Sequence, residues 1–216
     1  MKGLFMKDFL ILKNQGKTML IMFAMGIMMS LTFEPATLVF YVGMLGCLLA
    51  LSTISYDEAD NGYAFIFSLP IRRKSYVLEK YLFIFVSTLV FLAISLLISA
   101  IMLLTGVYDI AILMEDLPSM MLILFVTLTL VCDVMIPLRL KFGSEKSRIY
   151  LYLFYALAGI LIFVGQKLFP SLGVTVVNRI AATPAALIVG IVAVFAIVAT
   201  VVSEKISEKI IMAKQF

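Results

Sequence analysis

Charges along the chain divide it into long apolar stretches joined by short polar ones. Uncharged runs occupy 18–33, 35–56, 81–108, 149–166 and 180–203, and 118–138 is interrupted only by Asp133. A helix that crosses a bilayer takes about 20 mostly apolar residues, with a range of about 17–25. Six spans are therefore predicted, at 18–33, 36–55, 81–106, 118–138, 149–167 and 183–203. The first is short, and Lys17 lengthens it by extending its ammonium to the interface. Strands of a membrane barrel would alternate in polarity over about 10 residues, and no stretch of this chain does. The pattern predicts an all-α integral membrane protein in which 1–216 form one transmembrane domain.

Composition agrees and excludes other classes. Apolar residues make up 63% of the 216 positions and charged ones 14%, against roughly 45–50% and 25% in a soluble domain. A water-soluble fold of this length cannot hide so much apolar surface, so an ordinary soluble enzyme and a disordered binder are both excluded. Fifteen of the seventeen basic residues fall in the N-terminal segment, the second and fourth connections and the C-terminal tail, leaving Lys167 and Arg179 on the other side. Basic loops stay in the cytoplasm, so both termini are expected there, with Asp109, Glu115 and Asp116 outside. The first span lacks a small-residue cleavage site and leads directly to Pro35, so it is expected to be retained. Before it, residues 1–17 are expected to form an interfacial helix. Leu4, Phe5, Phe9 and Leu12 lie around one side of that helix, with Lys2, Lys7, Asp8 and Lys13 elsewhere.

The connection between the second and third spans is too patterned for a linker. Tyr56, Asp57 and Glu58 open it, Tyr63, Phe65, Ile66, Phe67 and Leu69 follow, and Pro70 marks its stop, because the residue before a proline resists helical geometry. A cytoplasmic helix over 56–70 is expected, its acids at the positive N-terminal end and its aromatic side covered by a partner. The alternative is an amphipathic re-entrance resting on lipid.

Candidate chemistry is sparse. The chain has no histidine, and Cys47 and Cys132 each stand alone within apolar runs without metal-ligand or thiol-exchange spacing, so no metal, catalytic or cofactor site is expected. Gly16-Lys17-Thr18 resembles the end of a phosphate-binding loop, but Ile11 occupies the position of the required earlier glycine. No ATP site is therefore expected in this chain. Asp133 is the one acid well inside a span, which marks it as a possible intramembrane polar site. Pro137, four residues on, removes the N–H that would bond its carbonyl, so a bend is expected there, with the carboxylate paired to a basic residue of the inner loops. Ion coupling and a substrate contact are the other readings. Met19, Met22, Met25 and Met28 recur every three residues and suit packing against lipid or helices, or a soft surface for varied cargo. Ser95 with Ser99, and Ala186 with Gly190, are spaced for close helix contact.

The stretches SLPIRRKSYVLEKYL and PLRLKFGSEKSRIY, the opening MKGLFMKDFLILKNQ and the six-span layout resemble the small ABC-2 type permeases of Gram-positive bacteria. Within that family the chain is similar to exporters of antimicrobial peptides and phenol-soluble modulins. The resemblance implies an ABC-2 type exporter fold in the bacterial cytoplasmic membrane and a separate ABC ATPase subunit holding ATP and magnesium. It also implies a second permease subunit, identical or not, and a peptide cargo. Carried over by position, 56–70 is the coupling helix, with Tyr56, Asp57, Glu58, Tyr63, Phe65, Phe67 and Leu69 meeting the ATPase, and 1–17 is the elbow helix. The outer segment 167–184 has no match in this pattern. Membrane lipid is an expected partner and nucleic acid is not. The expected function is the permease of an ATP-driven exporter, against a membrane immunity or sensor partner and an ion-coupled secondary transporter.

Overall fold

A computed structural model describes residues 2–32, 35–59, 62–105, 110–168 and 185–214. Among these the chain is helical throughout: α1 (Lys2–Asn14), α2 (Gly16–Thr32), α3 (Pro35–Glu58), α4 (Gly62–Ser68), α5 (Arg73–Leu104), α6 (Ile110–Phe142), α7 (Ser144–Leu168) and α8 (Ala185–Ala213). Among the described residues four helices are long and apolar enough to cross a membrane, over Thr37–Glu58, Arg73–Met102, Met121–Phe142 and Gly190–Ala213, and the apolar Gly16–Leu31 is shorter. The outer segment 167–184 lies outside the described residues from 169 onward.

α3 is the centre of the bundle. It packs against α2, α5 and α6, while α6 also holds α7 and α8, and α1 lies across α3 and α5. Leu38, Val42, Leu51 and Ile54 of α3 meet Tyr76, Val77 and Ile84 of α5 and Ile136 and Leu140 of α6 in one buried cluster. The approach of α3 to α5 depends on Gly46, where a Cβ would lie 2.5 Å from the Cβ of Phe91. The arrangement inverts a soluble protein. Leu20, Leu97, Phe163 and Phe195 face outward, whereas Thr53, Glu79, Lys80, Ser87, Ser95, Ser99 and Asp133 are buried. Bilayer hydrocarbon solvates the former, and the latter need partners inside the protein. Ser95 and Thr88 meet that need by donating to the carbonyls of Leu92 and Ile84 within their own helix. Ser95 and Ser99 thus sit in the packed interior, whereas Gly190 borders open space.

Several helices run past the ends that their charges predicted. α3 continues through Asp57 to Glu58 instead of ending at 55, and α5 begins at Arg73 instead of near 81. The expected helix over 56–70 is correspondingly two pieces, the last turn of α3 and the seven-residue α4. The physical reason is that Asp57 and Lys80 neutralise each other in the interior, so neither has to mark a boundary with water. Likewise α1 ends at Asn14 and α2 starts at Gly16, where one elbow helix over 1–17 was expected.

The α6–α7 turn is sharply defined. Gly143 has φ +84°, its N–H donates to the Arg139 carbonyl at 2.9 Å, and the next N–H, of Ser144, donates to the Glu58 carboxylate at 2.7 Å. A left-handed residue ending a helix favours glycine, and the space above Gly143 is filled by that same carboxylate. Gly143→Ala is expected to lower stability by about 1–2 kcal/mol, read as a lower thermal unfolding midpoint of the detergent-solubilised protein. A midpoint equal to wild type would mean that the turn has a second conformation of equal energy.

Candidate functional site: a short loop helix and its ion latch

α4 is too short to be stable alone, since an isolated helix needs about 12–15 residues. Its stability comes from its seat on α5. Tyr63 and Ile66 turn inward, and Phe67, one turn after Tyr63, lies edge-on to the Tyr76 ring with centroids 5.5 Å apart. Tyr63 meets Tyr76 the same way at 6.1 Å. The Arg73 guanidinium lies 5.5 Å from the Phe67 ring centre and the Lys214 ammonium 5.7 Å from that of Tyr63, favourable cation–ring placements. Burial raises the Tyr63 phenol well above its ordinary pKa, with the Asp57 and Glu58 carboxylates adding to the effect. The opposite side of α4 is bare: Phe65 is 70% exposed and Leu69 44%. Tyr56, 54% exposed at the end of α3, is bonded only at its rim, where Gln15 Nε2 donates to its hydroxyl at 3.1 Å.

The seven residues expected to meet a partner thus divide in two. Tyr56, Phe65 and Leu69 face outward, whereas Tyr63 and Phe67 hold α4 to the body, and Asp57 and Glu58 bond within the chain. Asp57 accepts the Tyr76 hydroxyl at 3.0 Å, lies 2.7 Å from Lys80 Nζ and pairs with Lys7. Lys80, fully buried, also reaches Asp8 at 2.5 Å and donates to Thr53 at 3.2 Å. Two lysines and two aspartates therefore bind α1, α3 and α5 together directly beneath α4. Burial depresses the Lys7 pKa, but the Asp57 and Asp8 carboxylates outweigh it and hold the ammonium above its ordinary value. Glu58 caps the first turn of α7 through Ser144, as described above. Arg73, at the start of α5, donates to the carbonyls of Ile211, Met212 and Lys214 at 2.8–3.1 Å. A cation at those terminal carbonyls is favourable, and it fastens the end of α8 to the same base.

Asp133 forms a second polar node, and its partners differ from those expected. Thr200 Oγ1 donates to its carboxylate at 2.8 Å, and no ion pair to it occurs among the described residues. α6 remains helical through Pro137. The Asp133 carbonyl that Pro137 leaves without an N–H instead receives the Ser203 hydroxyl, and Tyr81 bridges Ser203 and Ser207 at 2.6 and 2.9 Å. The proline's missing donor is thus replaced from a neighbouring helix, and α6 continues as helix to Phe142. Asp133 borders a cavity of about 970 Å³ between α6, α7 and α8, otherwise lined mainly by side chains such as Val134, Leu138, Phe195 and Val202, with Lys141 at one end.

Sequence reasoning missed Asp8, Lys80 and Arg139 as interior groups. The signal was present in helical spacing: Leu4, Asp8 and Leu12 fall on one face of α1, and Tyr76, Lys80 and Ile84 on one face of α5. It also treated the two cysteines as solitary, whereas Cys47 and Cys132 are both buried free thiols with their sulfurs 2.6 Å apart across α3 and α6. Among the described residues no cluster of three metal-ligating side chains occurs.

Long apolar helices with greasy outward faces and polar groups packed inside define a multi-pass membrane protein. The chain matches, over residues 3–212, the family described as ABC-2 family transporter protein, and it belongs to that family. It is accordingly the membrane permease of an ABC transporter, and hydrolysis of ATP belongs to a partner ABC ATPase subunit. No curated protein and no solved structure matches it.

Proposed function

We propose that the chain is the permease of an exporter, that α4 is the helix through which the ATPase drives it, and that the cargo is an amphipathic or hydrophobic peptide. The observation carrying this reading is the two-sidedness of α4: one side locked onto α5 by aromatic rings, the other offering Phe65 and Leu69 to a partner. A force applied at Phe65 passes through Phe67 and Tyr76 to Asp57 and Lys80, and so to α1, α3 and α5 together. Peptide cargo is favoured by the apolar cavity along α6, α7 and α8, whose one carboxylate, Asp133, suits a basic or hydrogen-bonding group on an otherwise greasy molecule. Lipid-like or drug-like molecules are the next candidates.

In this reading α2 and α7 join the four long spans to make six, both termini and α4 face the cytoplasm, and two permease subunits assemble with two ATPases. The membrane is the bacterial cytoplasmic membrane. Inside-out vesicles carrying the permease and its ATPase test the function: ATP should drive uptake of a labelled amphipathic helical peptide, and a Walker-deficient ATPase should abolish it. Uptake of lipid analogues but not peptide would reassign the cargo. Uptake driven by an ion gradient without ATP would overturn the mechanism.

Asp133 decides a second reading, coupling to ions, favoured by its place on the cavity wall. An asparagine there keeps the bond from Thr200 but cannot carry a proton. Asp133→Asn is expected to retain ATP-driven transport within about threefold, with the same rate whether or not a proton gradient is imposed. Loss of transport together with loss of gradient sensitivity would make the acid a proton carrier.

A further inference from the structure

We infer that a pocket between α3, α6 and α7 holds the headgroup of one anionic phospholipid, bound by Arg139 and Arg148. The pocket has a volume of about 580 Å³. Two guanidinium groups line it together with Ser52, Ser55, Tyr56 and Tyr152, and none of the described lining residues is an acid. The two acids on the last turn of α3 are engaged elsewhere, Asp57 with Lys7 and Lys80 and Glu58 with the Ser144 N–H. Arg139 is buried, and its Nη1 donates to the Leu51 carbonyl at 2.5 Å and to Ser55 Oγ at 3.1 Å. Its Nε has no partner, and no carboxylate pairs with either arginine among the described residues. A desolvated guanidinium without a counter-anion is costly. Arg139 is such a group, and Arg148, exposed but lining the same cavity, adds a second positive charge, so the pair calls for an anion.

The depth of the cavity says which kind. Arg139 and Arg148 lie near the ends of α6 and α7, where these helices leave the apolar layer, while Leu48, Met135 and Leu151 line the deeper part. From Ala59 to Leu48 the wall extends about 16 Å along α3 at 1.5 Å per residue. An occupant needs a negative head at the membrane surface and an apolar body below it, which is a phospholipid and not an acidic side chain on a soluble subunit. Tyr56, at the end of α3, has the amphipathic ring that favours the headgroup level. Basic pockets between membrane helices bind anionic headgroups in this way. The lipid would sit against Tyr56, at the end of α3 that leads into α4. This inference depends on the chain being a membrane permease and not on its cargo or direction.

Native mass spectrometry of the full-length permease in detergent, with dioleoyl phosphatidylglycerol and dioleoyl phosphatidylcholine added separately, tests it. Wild type is expected to retain one phosphatidylglycerol about tenfold more tightly than phosphatidylcholine. Arg148→Gln, at an exposed position that leaves packing intact, should reduce that preference to about twofold or less. Lys146→Gln, exposed two residues away but outside the pocket, should preserve it. Equal losses in the two variants would mean diffuse attraction to the surface and overturn the site. Displacement of the lipid by equimolar inorganic phosphate would assign the pocket to free phosphate. If Arg148→Gln keeps the lipid preference but loses the copurifying ATPase, the arginines receive an acidic side chain of that subunit and the lipid assignment fails.

Discussion

Lys80→Met is expected to leave little folded permease, because it leaves the Asp8 and Asp57 carboxylates to share one ammonium, that of Lys7. Lys80 and Asp8 have no exposed surface, and Asp57 beside them is nearly as enclosed. Removing one partner of a buried pair costs about 3–5 kcal/mol, a large share of the roughly 5–15 kcal/mol that keeps a domain folded. The cost arises from the one negative charge that Lys7 alone cannot balance, and not from the lost lysine. Asp8→Leu with Lys80→Met should therefore recover most of the loss, since Lys7 and Asp57 remain as a neutral pair and the apolar replacements suit the surrounding Leu4, Leu12 and Val77. The monodisperse fraction after heating, followed by fluorescence-detected gel filtration, measures both variants. Wild-type behaviour of Lys80→Met alone would show that the aspartates are neutral without it, and the latch would lose its role as a rigid base for α4.

That latch also explains how far the fold was legible in the sequence. The long spans were legible because nothing else accounts for such apolar runs at 35–56, 81–108 and 180–203. Their ends were not, since the reading took each charge as a marker of water. Asp57, Lys80 and Arg139 break that rule: the first two pair with charges more than twenty residues away, Arg139 bonds the Leu51 carbonyl and Ser55 of α3, and contacts at such distances leave no trace in a local window. Periodicity carried part of the information, in the strip Leu4, Asp8 and Leu12, but a helix expected to lie on the membrane surface gave no reason to look for a buried face. The partner of the Asp133 carbonyl was hidden for a similar reason. The missing N–H was legible, whereas its replacement by Ser203, seventy residues after Asp133, requires the packing of α8 against α6. For the candidate site, the aromatic run from Tyr63 to Leu69 identified the segment, and the direction of each ring came only with the seat on Tyr76.

That direction separates two substitutions that the sequence would treat alike. Phe65→Ala removes a ring that touches solvent, so the permease should fold, insert and unfold at the wild-type temperature. If Phe65 is buried in a cleft of the ATPase, its loss weakens docking by roughly 1.5–3 kcal/mol, about tenfold to a hundredfold at 1.4 kcal/mol per tenfold. The copurifying ATPase and cargo-stimulated ATP hydrolysis should then fall together. Phe67→Ala removes the ring between Tyr76 and Arg73 and should cost ~2 kcal/mol of stability, loosening α4 while its outward surface is unchanged. Its signature is the reverse: a lower unfolding midpoint with the ATPase still bound at low temperature, and transport reduced because the push no longer reaches α5. Measuring midpoint, copurification and ATP-driven transport for each variant distinguishes the arms. Should Phe65→Ala retain complex and transport at wild-type levels, α4 is not the coupling element, and its exposed ring lies against lipid. Should Phe67→Ala lose the ATPase without losing stability, the docking surface includes the inner ring, and α4 must leave its seat on Tyr76 to bind.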